Sequence, residues 1–463
     1  MFPSEVYVER RKRLKQQIGS GMILFLGNDE SPMNYRDNGY HYRQDSSFLY
    51  YFGLDFPGLA ALIDVDADEE TLFGDDYTID QIVWMGPQPT IRERGETCGV
   101  ANTVPAKQLG NALQNALHQE RRIHFLPQYR AENLLRLEAL LGLHPRRIND
   151  YVSESLIMAV AAQRSVKSDL ELAEIEHALE ITREMHVTAM QMTRPGVYER
   201  EVAGRMEGIA LAHGGRVAYP VIFSVRGETL HNHFHGNQMQ QGELALNDSG
   251  AENPNFYCGD ITRTIPVGGT FSPRQREIYL AVYAALEKCL QAVKSGVKFR
   301  DIYLLACRSL FDDLKALGLM KGDAAEGVAA GAHGIFFQCG VGHMIGMDVH
   351  DMEGLGEQYV GYDDTVQRSS QFGMCYLRLA KALQPGYVVA VEPGVYFIPQ
   401  LIDRWRAERK FAEFINYDKF ETYKGFGGVR IEDNVVVTES SCRILGPAIP
   451  KTLDAVEALA GKR

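Results

Sequence analysis

The segment GYVVAVEPGVYF, residues 386–397, places a charged side chain inside an otherwise apolar strand pattern. A short run rich in valine and tyrosine and bounded by glycine predicts a β-strand. Glu392 interrupts this run, and an ionised carboxylate in an apolar strand is costly unless it is paired, hydrogen-bonded or bound to a cation. The segment therefore predicts a strand and a buried acidic group that needs a partner.

Three further strand patterns carry an acidic residue in the same way. They are GELALNDSGA (242–251) with Asp248, GDITRTIPVGG (259–269) with Asp260, and GGVRIEDNVVVTE (427–439) with Glu432. For any one of these residues, a structural ion pair is the ordinary explanation. Four such cases in one region favour a shared cation site, because crowded carboxylates repel one another unless a cation neutralises them.

The expected ions follow from the ligand atoms. Carboxylate oxygens favour Mn²⁺, and one added imidazole widens the choice to Co²⁺, Fe²⁺ or Zn²⁺. Two divalent ions about 3.5–4 Å apart can activate a water molecule and polarise a carbonyl group, which is hydrolytic chemistry. We therefore expect two divalent metal ions per chain, with Mn²⁺ preferred.

Long amphipathic helices accompany the strands. LELAEIEHALEITREMHVTAMQM (170–192) follows Ser168, which forms a capping-box pattern with Glu171. PRQREIYLAVYAALEKCLQAV (273–293) predicts a second helix. Because helices and strands are mixed without strict βαβ alternation, the fold class is predicted to be α+β (mixed α/β).

The chain of 463 residues is too long for one ordinary hydrophobic core, so we expect two domains, 1–163 and 164–463. With a net charge of −12, a nucleic-acid or anionic-membrane partner is not expected. Seven cysteines without CxxC pairs indicate a reduced, cytoplasmic protein. The apolar run MILFL (22–26) is too short for a signal-peptide core, and no membrane span is expected.

Imidazole candidates occur in two places. CGVGHMIGMDVHD (339–351) contains His343 and His350, although a lone histidine among apolar residues is more often a satisfied core residue. GETLHNHFHG (227–236) has histidines at alternate positions, which on a β-strand would share one face and resemble a metal site. The set of four carboxylates argues that the metal site lies with them instead.

The ordered motifs NDSGA, GDITRT, GVGHMIGMDVHD, VEPGVYF and GGVRIED resemble those of the pita-bread metallopeptidases, in their aminopeptidase P and prolidase branch. YHYRQDSSFLYYFGLDFPG (40–58) resembles that branch's N-terminal domain. The resemblance implies a pita-bread catalytic domain of pseudo-twofold symmetry, preceded by a smaller creatinase/aminopeptidase P-type N-terminal α/β domain. That symmetry is not visible as a repeat in the sequence. The metal ligands it implies are Asp248, Asp260, His343, Glu392 and Glu432.

The resemblance also implies groups that act on the substrate. His231 and His350 would stabilise the reacting carbonyl, and Glu392 would carry a proton to the leaving nitrogen. Arg430 would lie beside the last ligand, and Arg378 resembles the arginine that binds the substrate's terminal carboxylate in prolidases. Cys339 stands where the family usually has a histidine, which predicts a wider or altered proline pocket, or else a redox-sensitive or metal-coordinating thiol.

The function implied is that of a metal-dependent Xaa-Pro aminopeptidase, which releases the N-terminal residue from peptides with proline in second position. Prolidase, acting on Xaa-Pro dipeptides, is the near alternative. A metal-free creatinase-like hydrolase and a non-catalytic peptide-binding protein are less favoured, because such proteins normally lack the five ligands. We expect small peptide substrates and a homodimer or homotetramer.

Overall fold

The computed structural model describes residues 1–462, and the chain forms two compact units. Unit 1 comprises residues 1–164 and 353–359, and unit 2 comprises residues 165–352 and the chain from Val360 onward. Among the described residues, no helix is long and apolar enough to cross a lipid bilayer.

Unit 1 is built on a five-stranded mixed sheet. Its strands are β1 (Met22–Leu26), β2 (Ala60–Asp64), β3 (Glu69–Phe73), β4 (Asn102–Val104) and β5 (Ile123–Phe125). They lie in the order β4-β3-β2-β1-β5, with the pairs β1–β5 and β3–β4 parallel and the other two pairs antiparallel. All residues of the interior strand β1 are buried, which is typical of a strand covered on both faces.

Seven helices belong to this part of the chain. They are α1 (Ser4–Ile18), α2 (Ser46–Phe52), α3 (Ile79–Met85), α4 (Ile91–Cys98), α5 (Leu109–His118), α6 (Ala131–Leu141) and α7 (Glu154–Ser165). Leu113 of α5 and Leu137 of α6 are fully buried in one core cluster with Leu24 and Phe125 of the sheet. Burial of these apolar side chains provides the main stabilisation of the unit.

Unit 2 contains several small antiparallel sheets and the longer helices. Its strands are β6 (Arg216–Val217), β7 (Ile222–Ser224), β8 (Leu244–Ser249), β9 (Ala251–Glu252), β10 (Ile261–Pro266), β11 (Val388–Val391), β12 (Gly394–Tyr396), β13 (Gly428–Arg430), β14 (Asp433–Val437) and β15 (Cys442–Ile444). Its helices are α8 (Asp169–Met192), α9 (Glu199–Ala212), α10 (Pro273–Ala292), α11 (Phe299–Ala316), α12 (Ala324–Ala330), α13 (Glu357–Val360), α14 (Pro399–Glu408), α15 (Tyr417–Glu421) and α16 (Leu453–Leu459), of which α13 begins in the stretch assigned to unit 1. The sheets are β10-β8-β7, β11-β14-β15, β12-β13 and β6-β9.

The two halves of unit 2 repeat one arrangement. Gly196 follows α8 and Gly296 follows α10, with φ angles of 86° and 81°, which favour glycine. Their N–H groups donate to the carbonyls of Met239 and Leu383, at 2.9 Å in both cases. In each half, two consecutive helices pack against each other: α8 against α9, and α10 against α11. The glycine that follows the first helix of each pair is hydrogen-bonded to a similarly placed loop.

The same repeat is present in the sequence. GELALNDSG (242–250) and GYVVAVEPG (386–394) share the pattern of glycine, five residues, an acidic residue, one residue and glycine. The acidic positions are Asp248 and Glu392. The repeat is inconspicuous in the sequence, because it consists of spacing and residue class rather than of identical letters.

The predicted start of α8 is confirmed. The Ser168 hydroxyl accepts a hydrogen bond from the Glu171 N–H at 3.4 Å, and Glu171 Oε2 accepts one from the Ser168 N–H at 3.1 Å. The second predicted helix is also confirmed, since α10 begins at Pro273 and ends at Ala292. Local capping chemistry thus decides where both long helices begin, because each has a capping box.

Replacing Ser168 with alanine should lower the free energy of unfolding of unit 2 by about 1 kcal/mol, because the N-cap acceptor is lost. Urea unfolding monitored by circular dichroism would measure the change. Ser168→Asp, which keeps an acceptor at the cap, should retain most of the stability. Equal stability of wild type and Ser168→Ala would show that the cap contributes nothing.

Candidate metal and active site

Unit 2 contains a cavity of about 180 Å³. It brings together all the site residues predicted from the sequence, which are His231, Asp248, Asp260, Cys339, His343, His350, Arg378, Glu392, Arg430 and Glu432. These residues come from segments up to about 200 positions apart in the chain, so tertiary folding alone assembles them.

Two of the acidic residues lie where predicted strands are interrupted. The predicted strand at 386–397 is broken, because β11 ends before Glu392 and β12 begins after Pro393. Proline has no backbone N–H to donate to a ladder, so the chain changes partner here: β11 pairs with β14, and β12 pairs with β13. Glu432 likewise lies in the break between β13 and β14. The prediction of continuous strands is wrong at both carboxylates.

The segments that carry Asp260 and Glu432 are joined directly. The Asp260 N–H donates to Asn434 Oδ1 at 3.0 Å, and Asn434 Nδ2 donates to the Asp260 carbonyl at 2.6 Å. The Glu432 N–H donates to the Thr262 carbonyl at 3.1 Å, and the Thr262 hydroxyl donates to Glu432 Oε2 at 2.7 Å. These contacts hold two carboxylates side by side although one precedes β10 and the other lies between β13 and β14.

His343 completes a compact group of donor atoms with these two carboxylates. One ligand atom each from Asp260, His343 and Glu432 lie within 4.8 Å of one another. His343 Nδ1 is 3.0 Å from the Met344 carbonyl, which assigns the proton to Nδ1. Its Nε2 is 3.3 Å from Asp260 Oδ2 and 3.8 Å from Glu392 Oε1. The lone pair of Nε2 therefore faces the carboxylates, as a metal ligand requires.

The electrostatics of this group fit a divalent cation. Burial raises the pKa of Glu432 well above its usual range, and the charge of Asp260 adds to the shift. Burial also raises the pKa of Glu392, to about 7. Glu432 Oε1 is buried and has no hydrogen-bond partner among the described residues. A cation would bind this oxygen and remove the repulsion, so the donor set present suits metal binding.

Arg430 and Tyr219 both contact the carboxylate of Asp248. The Arg430 guanidinium is paired with Asp248 and donates to the Tyr396 hydroxyl at 2.8 Å and to the Thr262 hydroxyl at 2.9 Å. Arg430 therefore forms a buried ion pair and also orients a carboxylate of the site.

Tyr219 is a site residue that the sequence did not reveal. Its hydroxyl lies 2.6 Å from Asp248 Oδ1 and also within hydrogen-bonding distance of Asp260 Oδ1. Because a hydroxyl has one proton, it donates to one carboxylate at a time and links the two. No acidic, histidine or glycine pattern marks this tyrosine in the sequence, so only the fold identifies it.

The three alternating histidines do not form a metal site. Residues 227–236 form turns and irregular structure instead of the predicted strand. His231 and His233 line the cavity, whereas His235 Nε2 is 3.0 Å from the Val221 carbonyl and is not among the lining residues. The alternation therefore does not place all three imidazoles on one face.

Cys339 contributes an uncharged wall to the cavity. Its thiol lies 3.9 Å from the Tyr396 hydroxyl. Burial raises the pKa of Cys339 to about 12, so the thiol is protonated at neutral pH. A protonated thiol is a poor nucleophile, which favours the pocket-wall interpretation over the redox-sensitive one.

Four buried carboxylates and one imidazole that meet at one cavity are typical of a metal-dependent hydrolase, which is the class of this protein. The chain belongs to metallopeptidase family M24, whose sequence model matches residues 173–439. The sequence model of the aminopeptidase P N-terminal domain matches residues 7–124. The predicted pita-bread fold with its preceding α/β domain, the family and the hydrolase class are confirmed, and the family implies divalent metal ions.

Relatives of both predicted specificities resemble the chain along nearly its whole length. Human Xaa-Pro dipeptidase is 30% identical and is aligned over 97% of this chain and 90% of its own. A probable Xaa-Pro aminopeptidase of Paracoccidioides brasiliensis is 30% identical over 100% of this chain and 97% of its own.

Solved aminopeptidases share the fold. Aminopeptidase P of Escherichia coli in complex with substrate has a TM-score of 0.80 at 28% identity, covering 99% of this chain and 98% of that one. Proline aminopeptidase P II of Yersinia pestis has a TM-score of 0.81 at 29% identity, covering 99% of both chains. The family assignment therefore has independent support from sequence and from structure.

Replacing Tyr219 with phenylalanine should weaken Mn²⁺ binding about 10- to 100-fold, because hydrogen-bond partners of ligating carboxylates orient them. Chelator competition on metal-free protein would measure the affinity. Tyr279→Phe is the matched control, since its buried hydroxyl donates to the Lys451 carbonyl outside the cavity. An unchanged Mn²⁺ affinity in Tyr219→Phe would contradict this role.

Proposed function

We propose that this chain is an Xaa-Pro aminopeptidase, which hydrolyses the bond between an N-terminal residue and a following proline. The observation that supports it most is the buried carboxylate and imidazole cluster opening into a cavity lined by His231, His350 and two arginines. The named activities of its relatives, all on bonds involving proline, support the same substrate class.

The metal centre is proposed to hold two divalent ions per chain. Its ligands would be Asp248, Asp260, His343, Glu392 and Glu432. We propose Mn²⁺, because four of the five ligands supply carboxylate oxygen. When bound, such ions supply a water molecule of lowered pKa and polarise the scissile carbonyl.

Glu392 is proposed as the group that carries the proton. Its side chain is 19% exposed, compared with 7% for Asp260 and 11% for Asp248. Its oxygens lie 3.8 Å from His343 Nε2 and 3.8 Å from Arg430 Nε, beyond hydrogen-bonding distance. Glu392 is therefore the ligand best placed to accept a proton inside the cavity and deliver it to the leaving nitrogen.

Two histidines are proposed to stabilise the negative charge that develops on the reacting carbonyl oxygen. Both His231 and His350 line the cavity. The His350 ring packs edge-on against His343, with the ring centroids 4.4 Å apart, so it lies next to the metal cluster. Burial and the charges of Arg430 and Arg378 lower the pKa of His231, which makes it a neutral hydrogen-bond donor.

Activity on Xaa-Pro dipeptides is the second candidate function. Arg378 lines the same cavity of about 180 Å³. A guanidinium group binds a carboxylate through two parallel hydrogen bonds, so Arg378 could hold the free carboxyl end of a dipeptide. A longer peptide has an amide at that position and gains no such charge pair.

A test of the function uses the Mn²⁺-loaded protein with Ala-Pro and with Ala-Pro-Ala-Ala. An aminopeptidase should cleave the tetrapeptide, whereas a dipeptidase should cleave only Ala-Pro and should show a raised KM for it in Arg378→Met. Glu392→Gln should reduce either activity by at least 100-fold while the fold is kept. Negligible cleavage of both peptides by the wild-type protein would overturn the proposal.

A homodimer or homotetramer is proposed from helix α3. It buries none of its residues, and its apolar side chains are unusually open to solvent: Trp84 is 84% exposed, Ile79 75%, Val83 72% and Met85 61%. Contiguous apolar patches of this kind mark association surfaces. We further propose the domains 1–163 and 164–463, and a cytoplasmic location, which the seven free cysteines support.

Replacing Trp84 with serine should shift the protein towards the monomer, because a large apolar anchor is lost from α3. Light scattering coupled to size-exclusion chromatography would measure the mass. Leu135→Ser is a suitable control, because Leu135 is 60% exposed on a different helix. A wild-type protein that is already monomeric would contradict the proposed assembly.

A further inference from the structure

Unit 2 contains a fully buried ion pair close to, but outside, the metal cluster. Lys167 Nζ lies 2.9 Å from Asp351 Oδ2, and each side chain is only 1% exposed. Desolvating two charges costs several kcal/mol, so replacing such a pair with apolar residues often leaves stability unchanged or raises it. Stability alone is therefore a weak explanation for this pair. Its location beside the loop that carries His350 suggests a role in the site.

The carboxylate of Asp351 closes the loop that carries His350. The Asp351 N–H donates to the Met344 carbonyl at 3.0 Å. Asp351 Oδ1 accepts from the Asp348 N–H at 3.4 Å, and Gly346 donates to the Asp348 carbonyl at 3.1 Å. His350 precedes Asp351 directly, so its backbone moves with the anchored carboxylate.

The backbone of the lysine is anchored to the segment that leads into β11. The Lys167 N–H donates to the Gly386 carbonyl at 2.9 Å, two residues before β11 begins at Val388. On the edge of β11 that does not pair with β14, the Ala390 N–H donates to the His343 carbonyl at 2.9 Å. His343 is therefore tied to β11 through its backbone, whereas the Lys167–Asp351 pair anchors the residue directly after His350.

We propose that Lys167 and Asp351 are positioning residues that fix His350 relative to His343 and thereby set the turnover rate. The inference rests on the proposed function, because it assigns His350 a contact with the reacting carbonyl. Breaking the ion pair should displace His350 and leave the proposed metal ligands in place. A misplacement of about 1 Å in a catalytic group can reduce the rate about 100-fold.

The test compares Lys167→Met, Lys167→Arg and the double variant Lys167→Met/Asp351→Leu. The single methionine variant removes the positive charge that faces the buried Asp351 carboxylate and is expected to be unstable. The double variant removes both charges and should fold, bind Mn²⁺ with unchanged affinity and keep KM within about threefold, while kcat falls about 100-fold. Lys167→Arg, which keeps the positive charge, should retain a larger part of the wild-type kcat than the double variant does.

A chemical readout that does not depend on turnover follows from the same geometry. In metal-free protein, diethyl pyrocarbonate should modify His350 faster in the double variant than in the wild type, as measured by peptide mass spectrometry. His231, which lies on a separate segment, should react at the same rate in both proteins and provides an internal reference.

Two controls distinguish the possible failures. Arg276→Met, which breaks the more exposed pair with Glu457, should leave kcat unchanged. His350→Ala should lose at least as much kcat as the double variant; if it keeps wild-type kcat, the proposed role of His350 fails. If His350→Ala is impaired but the stable double variant turns over at the wild-type rate, the ion pair is merely structural and the positioning inference is overturned.

Discussion

Mutual repulsion among the carboxylates of one buried cavity is the constraint on which the arrangement of unit 2 depends. Arg430 neutralises Asp248, and Tyr219 supplies a proton to be shared by Asp248 and Asp260. These groups do not satisfy Glu432, whose buried Oε1 has no partner among residues 1–462. Divalent cations therefore complete the charge balance that the surrounding side chains leave unfinished, which explains why a metallopeptidase site has this composition.

Internal repetition supplies these carboxylates in pairs. Asp248 and Glu392 hold equivalent positions in the two repeats, and Asp260 and Glu432 lie just before β10 and β14. The equivalence ends at the level of side chains, because Asp248 is locked by an arginine whereas Glu392 lies at distances beyond hydrogen bonding. One backbone arrangement used twice thus yields a carboxylate paired with an arginine in one half and a more accessible carboxylate, the proposed proton carrier, in the other.

Much of the fold and of the candidate site was predictable from local patterns. The Ser168 capping box and the start of α10 at Pro273 depend on a few neighbouring residues, so sequence alone locates them. The strand break at Pro393 was missed, because a run of valines predicts a strand whichever partner it pairs with. Tyr219 was missed for a different reason: its role is created by the convergence of Asp248 and Asp260, and its own neighbours carry no trace of it.

By itself, the sequence determined the candidate site residues, the order of the motifs and the family, since costly carboxylates in apolar segments and spaced glycines are visible residue by residue. Tertiary structure alone decided which atoms meet. It separated His231 from His235, bonded Arg430 to Asp248, and placed a buried ion pair behind His350. The physical reason is that hydrogen bonds and ion pairs act over a few ångströms, and residues far apart in the chain reach that distance only after folding.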